Sequence, residues 1–275
     1  MNQNLNLENM KYNYQNCLIA AAIGDICGSV YEFKREKPQV IELMRSDVVF
    51  TDDTVCTFAV AEALLHNLDI SDNLAHRCLM HRNAGYGGMF RKWIALPKEQ
   101  RTPYNSFGNG SAMRCSAAGW MANSEDEVME LAKKTAECTH NHPEGIKGAR
   151  AIAMGVYYGK TGMSKDYIRK NVLDKFYPEW SDVTLEKLIP TYKFEVSCQK
   201  SVPVAIICFL ESENYKDCIH KCIETGGDVD TIGAMAGPIA YAYYGEMPAD
   251  FIDRAKSMLP EWMLKVNEEF DAVVK

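Results

Sequence analysis

The chain has 275 residues, 47% hydrophobic and 24% charged, with 30 Lys+Arg against 37 Asp+Glu for a formal net charge of −7. That composition excludes wholesale disorder, and the charge argues against an extended nucleic-acid groove, because duplex binding rests mainly on Lys and Arg neutralising phosphates. Ten cysteines are scattered without a CxxC, several in apolar runs such as Ala205-Ile206-Ile207-Cys208-Phe209, and read as reduced, packed thiols. The polar N-terminus lacks the apolar stretch of a signal peptide, and no segment approaches the ~20 apolar residues of a membrane span. The expectation is a cytoplasmic protein with no membrane partner.

Residues 1–13 are read as a polar, Asn-rich tail and 14–275 as one domain. Helical periodicity predicts helices over 14–23, 71–82, 111–122, 125–138, 145–160, 201–211, 215–224 and 249–273, the last divided at Pro260. Two further helices are apolar nearly all round and therefore central: in 55–65 only Thr57 and Glu62 are polar, and 232–244 carries no charge. The second is rich in small residues that permit close helix approach, and Pro238 is expected to kink it. Loops are expected at 34–38, 97–105 and 177–201. Strand alternation is lacking, so the fold class is all-α, a compact single-domain helix bundle.

Four segments dense in Gly, Asp, Asn and Thr interrupt this pattern: Gly24-Asp25-Ile26-Cys27-Gly28 leading to Glu32, Thr51-Asp52-Asp53-Thr54, Gly108-Asn109-Gly110-Ser111-Ala112-Met113-Arg114, and Gly226-Gly227-Asp228-Val229-Asp230-Thr231. Side chains one or two residues apart diverge on a helix. Asp52/Asp53 and Asp228/Asp230 therefore converge only from loops or helix starts, and each pair does precede one of the two most apolar helices. Either pair alone is more simply a cap. If the two helices pack side by side, however, four carboxylates meet at their N-terminal ends, where repulsion and desolvation are severe. Helix dipoles offset about 1 kcal/mol each; an all-oxygen set of carboxylates and Thr hydroxyls suits hard divalent cations such as magnesium or manganese.

Together the segments resemble the ADP-ribosylglycohydrolases of the dinitrogenase reductase-activating type, whose pattern runs from GDxxG and a following Glu through TDDT, GNGxxMR and a Thr-His segment with His-Pro to GGDxDTxGAxxG. The chain carries each part in order: Gly24 to Gly28 with Glu32, Thr51 to Thr54, Gly108 to Arg114, Thr139-His140-Asn141-His142-Pro143, and Gly226 to Gly237. The resemblance implies an orthogonal all-α bundle with two magnesium ions (manganese possible) at the base of an ADP-ribose cleft. Carried over residue by residue, the metal ligands are Thr51, Asp52, Asp53, Asp228, Asp230 and Thr231. Glu32 is the first candidate for general acid/base or for a gate over the metals, and Asp53 the second candidate for activating water. The implied reaction is hydrolysis of the C1 glycosidic bond of an ADP-ribosyl adduct of protein, nucleic acid or a small molecule.

Gly108, Asn109, Gly110 and Ser111 are expected to offer backbone amides to the diphosphate at a helix start, with Phe107 contacting a ring or packing, and Gly87 and Gly88 forming a cleft loop. Arg114 meets phosphate or a core carboxylate. His140 contacts substrate, and His142 with it contacts substrate or caps a helix. Asp25 is read as a cap or an anchor for a glycine turn and stands outside the metal set. Cys218 and Cys222 read as packing residues. A binuclear phosphohydrolase and a non-catalytic ADP-ribose-binding module are the competing classes, and oligomeric state is left open.

Overall fold

The computed structural model describes residues 13–34 and 36–274; apart from residue 13, the predicted tail over 1–13 lies outside them. Among the described residues the regular structure is helical, with one bridge between Gly108 and Ser197, in keeping with the all-α class. The helices are α1 (Ile19–Gly28), α2 (Asp52–Leu65), α3 (Ile70–Met80), α4 (Gly88–Ile94), α5 (Ser116–Met121), α6 (Glu125–Glu137), α7 (Pro143–Lys160), α8 (Lys165–Ile168), α9 (Asp174–Phe176), α10 (Leu185–Leu188), α11 (Cys198–Leu210), α12 (Tyr215–Thr225), α13 (Val229–Tyr244), α14 (Ala249–Met258) and α15 (Glu261–Val273).

The two helices read as central are central. α13 is buried along nearly its whole length between α1, α7, α11 and α12, while α2 packs on α1, α3, α5 and α15. α13 runs continuously from Val229 to Tyr244 with Pro238 inside it.

α1 differs most from its prediction. It starts five residues later than the periodicity suggests and continues through Gly24 to Gly28, the stretch read as a turn. The glycines serve a close approach of two backbones. A Cβ on Gly24 would stand 2.1 Å from the Gly233 carbonyl oxygen, one on Gly28 2.3 Å from Asp230 Cα, and one on Gly237 2.4 Å from the Ala20 carbonyl oxygen. These pairings run in opposite sequence order, so α1 and α13 cross antiparallel along a seam of small residues. Helices with ordinary side chains stay about 8–10 Å apart; a seam of Gly and Ala lets these two come closer.

Elsewhere, the helix predicted over 111–122 begins only at Ser116. Asn109–Ser111 form a 3-10 turn, since the chain there is tied to a distant segment: Asn109 N–H donates to the Val196 carbonyl (2.8 Å) and Cys198 N–H to that of Phe107 (2.9 Å). The loop expected over 177–201 contains a 3-10 turn at Pro178–Trp180 and α10, then crosses open-chain to α11. The cysteines are free thiols, nine of them buried and Cys138 half-buried, with Cys218 and Cys222 in the core.

Because Gly24 faces backbone that has no room to move aside, Gly24→Ala should cost more than about 3 kcal/mol or prevent folding. Gly88→Ala, at a position facing open space, should leave the urea midpoint nearly unchanged. Equal stability of the two variants in urea melts would refute the seam.

Candidate active site

Asp25 points from α1 into the start of α2. It is fully buried and accepts four hydrogen bonds: from Thr51 N–H (2.8 Å), Thr51 Oγ1 (2.7 Å), Thr54 N–H (3.1 Å) and Thr54 Oγ1. The sequence reading made it a cap or an anchor for a glycine turn. It anchors the TDDT segment instead, because Gly24 and Gly28 lie inside a helix. Thr51 caps α2 through its side chain, and Asp52 N–H donates to the Ala84 carbonyl (2.7 Å). Asp53 is buried; its Oδ2 accepts from Thr51 Oγ1 (3.2 Å) and Thr231 Oγ1 (3.3 Å), while Oδ1, also buried, has no hydrogen-bond partner.

The other half comes from the head of α13. Gly226 and Gly227 adopt φ of 71° and 84°, the left-handed region that suits glycine, and turn the chain from α12 into α13. Asp228 occupies the N-cap position, yet its side chain makes no capping bond and instead accepts from Asn109 Nδ2 (2.6 Å). Asp230 Oδ1 accepts its neighbour's amide, Thr231 N–H (2.9 Å). Two trios result, each with one oxygen per residue within 4.8 Å of the others: Asp25, Asp53 and Asp230, and Glu32, Asp228 and Asp230. Asp52 belongs to neither trio but lines the same cavity.

These carboxylates raise one another's proton affinity. Burial, then the charge of Asp228, pushes Glu32 up to about 8; burial, then Asp25, pushes Asp52 up to about 7. Asp53 and Asp230 are driven well above the usual carboxylate range by burial, then by Asp25 and Asp53 respectively, and burial also raises Asp228. A hard divalent cation fits these residues. The donors are all oxygen, among the described residues no ion pair compensates the charge, and Asp53 Oδ1 is a desolvated acceptor lacking a donor.

Above the carboxylates lies a cavity of about 480 Å³. Glu32, Thr51, Asp52, Asp53, Asp228, Asp230 and Thr231 line one end; Gly87, Gly88, Gly108, Asn109, Gly110 and His140 line the remainder with Tyr104, Ser106 and Met113. Two expected substrate residues stand apart. Ser111 is fully buried with its hydroxyl turned to the Gly145 carbonyl (2.8 Å), and Phe107, half exposed, packs edge-on against His142 outside the lining. The diphosphate reading of the Gly108–Ser111 amides also changes. Gly108 N–H is bonded to Ser106 Oγ (3.2 Å) and Asn109 N–H to Val196, and no long helix starts there.

Arg114 meets no carboxylate: its guanidinium, buried, donates to the Thr135 carbonyl (2.9 Å) and Thr139 Oγ1 (2.8 Å). The two histidines divide their roles. His142 Nδ1 caps α7 by accepting Glu144 N–H (3.1 Å), whereas His140 lines the cavity as a neutral ring, its pKa lowered by burial and then by Arg114. Sequence reasoning did not single out Phe33, Phe194 or Val196 on the cavity wall, although Phe33 stands next to Glu32 and the other two lie in the loop expected over 177–201.

Fold and site define an all-α protein with a deep, oxygen-lined acidic cleft at the heads of its two core helices. A family model described as ADP-ribosylglycohydrolase matches residues 7–274, and the chain belongs to that family. It is 25% identical to ADP-ribosylhydrolase ARH3 of Gallus gallus, over 85% of each chain. It is 26% identical to the ADP-ribosyl-[dinitrogen reductase] glycohydrolase of Rhodospirillum rubrum, over 86% of this chain and 87% of that one. A solved structure titled ADP-ribosylglycohydrolase-related protein complex superposes with a TM-score of 0.73 over 98% of this chain and 99% of its own, at 20% identity, which speaks to the fold.

The electrostatics generate a stability test. With folded-state pKa values raised above the unfolded values, the EDTA-treated protein takes up protons on folding. Its stability should therefore fall as pH rises from about 4, the unfolded carboxylate value, through the 7 to 8 reached by Asp52 and Glu32. Thermal melts should show a lower Tm at pH 8 than at pH 6 in EDTA, and a rise on adding Mg2+ or Mn2+ that is larger at pH 8. Asp53→Asn should melt higher than wild type in EDTA and gain less from either metal; the reverse order would contradict a buried, uncompensated charge at Asp53.

Proposed function

We propose that the protein is a divalent-metal-dependent hydrolase that cleaves the C1 glycosidic bond of ADP-ribosyl adducts, on protein, nucleic acid or a small molecule, and releases ADP-ribose. The observation that carries this reading is the sharing of one cavity by Glu32, Asp52, Asp53, Asp228 and Asp230 and the Gly108–Gly110 turn. The metal-binding set is Thr51, Asp52, Asp53, Asp228, Asp230 and Thr231, with magnesium or manganese as the cation and two ions as the count. When bound, such ions supply Lewis acidity and a water of lowered pKa.

The chain's own groups do the rest. Asp25 holds Thr51 and Thr54, so the ligands at the head of α2 stay in place before any ion arrives. Asn109 does the same for Asp228 from the opposite wall. Glu32, half-buried beside Asp230, is the proton-transfer group, and Asp53 the second candidate for orienting water. Gly87 and Gly88 carry no side chain into the open space above them, and Gly110 leaves the His140 ring uncovered: a Cβ there would stand 3.2 Å from His140 Nε2. Phe90, Met113 and Val196 add apolar wall that excludes water from the bound ligand. The buried free thiols support a reducing, cytoplasmic location.

The test is a panel of arginine-, serine- and ester-linked ADP-ribosyl conjugates, O-acetyl-ADP-ribose and ADP-ribosylated nucleobases, assayed with Mg2+, Mn2+ or EDTA and read by mass. ADP-ribose should appear with metal and not with EDTA. Glu32→Gln should lower kcat by about 10²–10⁴-fold, and Asp228→Ala should abolish turnover, both with the fold retained by circular dichroism. Release of AMP or phosphate would instead identify a phosphohydrolase, and tight ADP-ribose binding without turnover a binding module.

A further inference from the structure

The other carboxylates of the site lie in helices or cap them, but Glu32 sits on the turn over 29–34 that follows α1. One of its neighbours is firmly held. Tyr31 is buried, and its hydroxyl both donates to the Glu42 carbonyl (3.1 Å) and accepts from Glu42 N–H (3.0 Å). The other neighbour, Phe33, is 79% exposed and stacks on Phe194, itself 49% exposed, with ring centroids 5.8 Å apart and planes 27° apart. Both rings line the cavity. Two large exposed rings from segments far apart in sequence meet at the mouth of the cleft, directly beside Glu32.

A second contact reaches the 189–198 segment from beyond that turn: Lys37 Nζ donates to the Ile189 carbonyl. Beneath them the two left-handed glycines leave the necessary space, since a Cβ on Gly226 would stand 3.0 Å from Lys37 Cγ and one on Gly227 3.1 Å from Phe194 Cα. The far end of the 189–198 segment is tied to the 107–109 turn through Val196 and Cys198. This strap thus touches the Glu32 turn, the head of α13 and the Gly108 turn in succession.

We propose that Phe33 and Phe194 are positioning residues: their stack clasps the Glu32 turn to the 189–198 strap and holds the Glu32 carboxylate beside Asp228 and Asp230. The proposal rests on the hydrolase reading for its kinetic consequence, while the clasp itself has a readout independent of activity. An aromatic pair contributes about 0.5–1.5 kcal/mol beyond its buried area, so loosening the turn should reduce kcat about three- to tenfold.

The experiment compares wild type with Phe33→Ala, Phe194→Ala and Phe194→Tyr. Both rings are exposed, so all variants should melt within about 2 °C of wild type. In the alanine variants kcat should fall by the same factor on every conjugate cleaved, with KM within twofold, and deuterium uptake of peptides covering 29–34 should rise. Phe194→Tyr, which keeps the stack, should restore both. Unchanged kcat would overturn the proposal. So would a KM that rises for some acceptors only at constant kcat, because the rings would then be contacting the acceptor. If wild type cleaves no conjugate, the hydrolase reading fails, and deuterium uptake at 29–34 decides the clasp alone: unaltered uptake in Phe194→Ala overturns it.

Discussion

The antiparallel seam between α1 and α13 is the contact on which the site depends. Where Gly24 meets Gly233 and Gly28 meets Asp230, backbone lies against backbone, and the two helices are brought closer than any pair with larger side chains permits. Two results follow from the same geometry. The head of α13, with Asp228 and Asp230, is set beside the last turn of α1, and Asp25 on that turn reaches across to fix Thr51 and Thr54 at the head of α2. Glycine inside a helix is unfavourable by about 0.8–1 kcal/mol per residue relative to alanine. Close packing over the length of α13 offsets that cost and places acidic residues from three elements at one point.

That placement opposes stability in the absence of cations. Six buried or half-buried carboxylates share the neighbourhood, and their raised pKa values express the work of holding them together. Hydrogen bonding relieves only some of it: Asp25 is saturated by four donors and Asp228 is served by Asn109, but Asp53 retains a buried oxygen with none. The distribution separates two duties. Asp25 spends its acceptors on the protein and so acts as scaffold, whereas Asp53, a residue of the cavity lining, keeps one buried oxygen without a donor.

Much of this was legible in the sequence because its signals were local. Asp52/Asp53 and Asp228/Asp230 stood immediately before the two most apolar helices, and convergence followed if those helices packed together. Most helices from 52 onward lay within a few residues of their predicted bounds. The misreadings arose where tertiary partners override local preference. Gly24 and Gly28 look like turn formers in one dimension and become helix-packing residues only when α13 is present. Ser111 looks like the start of a helix and an anion site, yet the 107–109 turn is tied to Val196 and Cys198, nearly ninety positions away in the chain. Phe33 and Phe194 have no periodic pattern, and their pairing exists only in three dimensions.

The strap over 189–198 shows why the cleft behaves as one unit although its walls come from distant parts of the chain. Up to Cys198, which opens α11, it is neither helix nor strand, and it borrows its order from what it touches: the Gly108 turn through Val196 and Cys198, the α12–α13 turn through the space above Gly227, the Glu32 turn through Phe194, and Lys37 beyond that turn through Ile189. Asn109 sits at one of these junctions and also donates to Asp228, so the turn lining the cavity and the carboxylates beneath it share a residue. A displacement of the strap would move the Glu32 turn, one wall of the cavity and the partner of Asp228 together. Such coupling places the precision of the site in a short irregular segment, while the helices beneath supply the rigidity against which that segment is held.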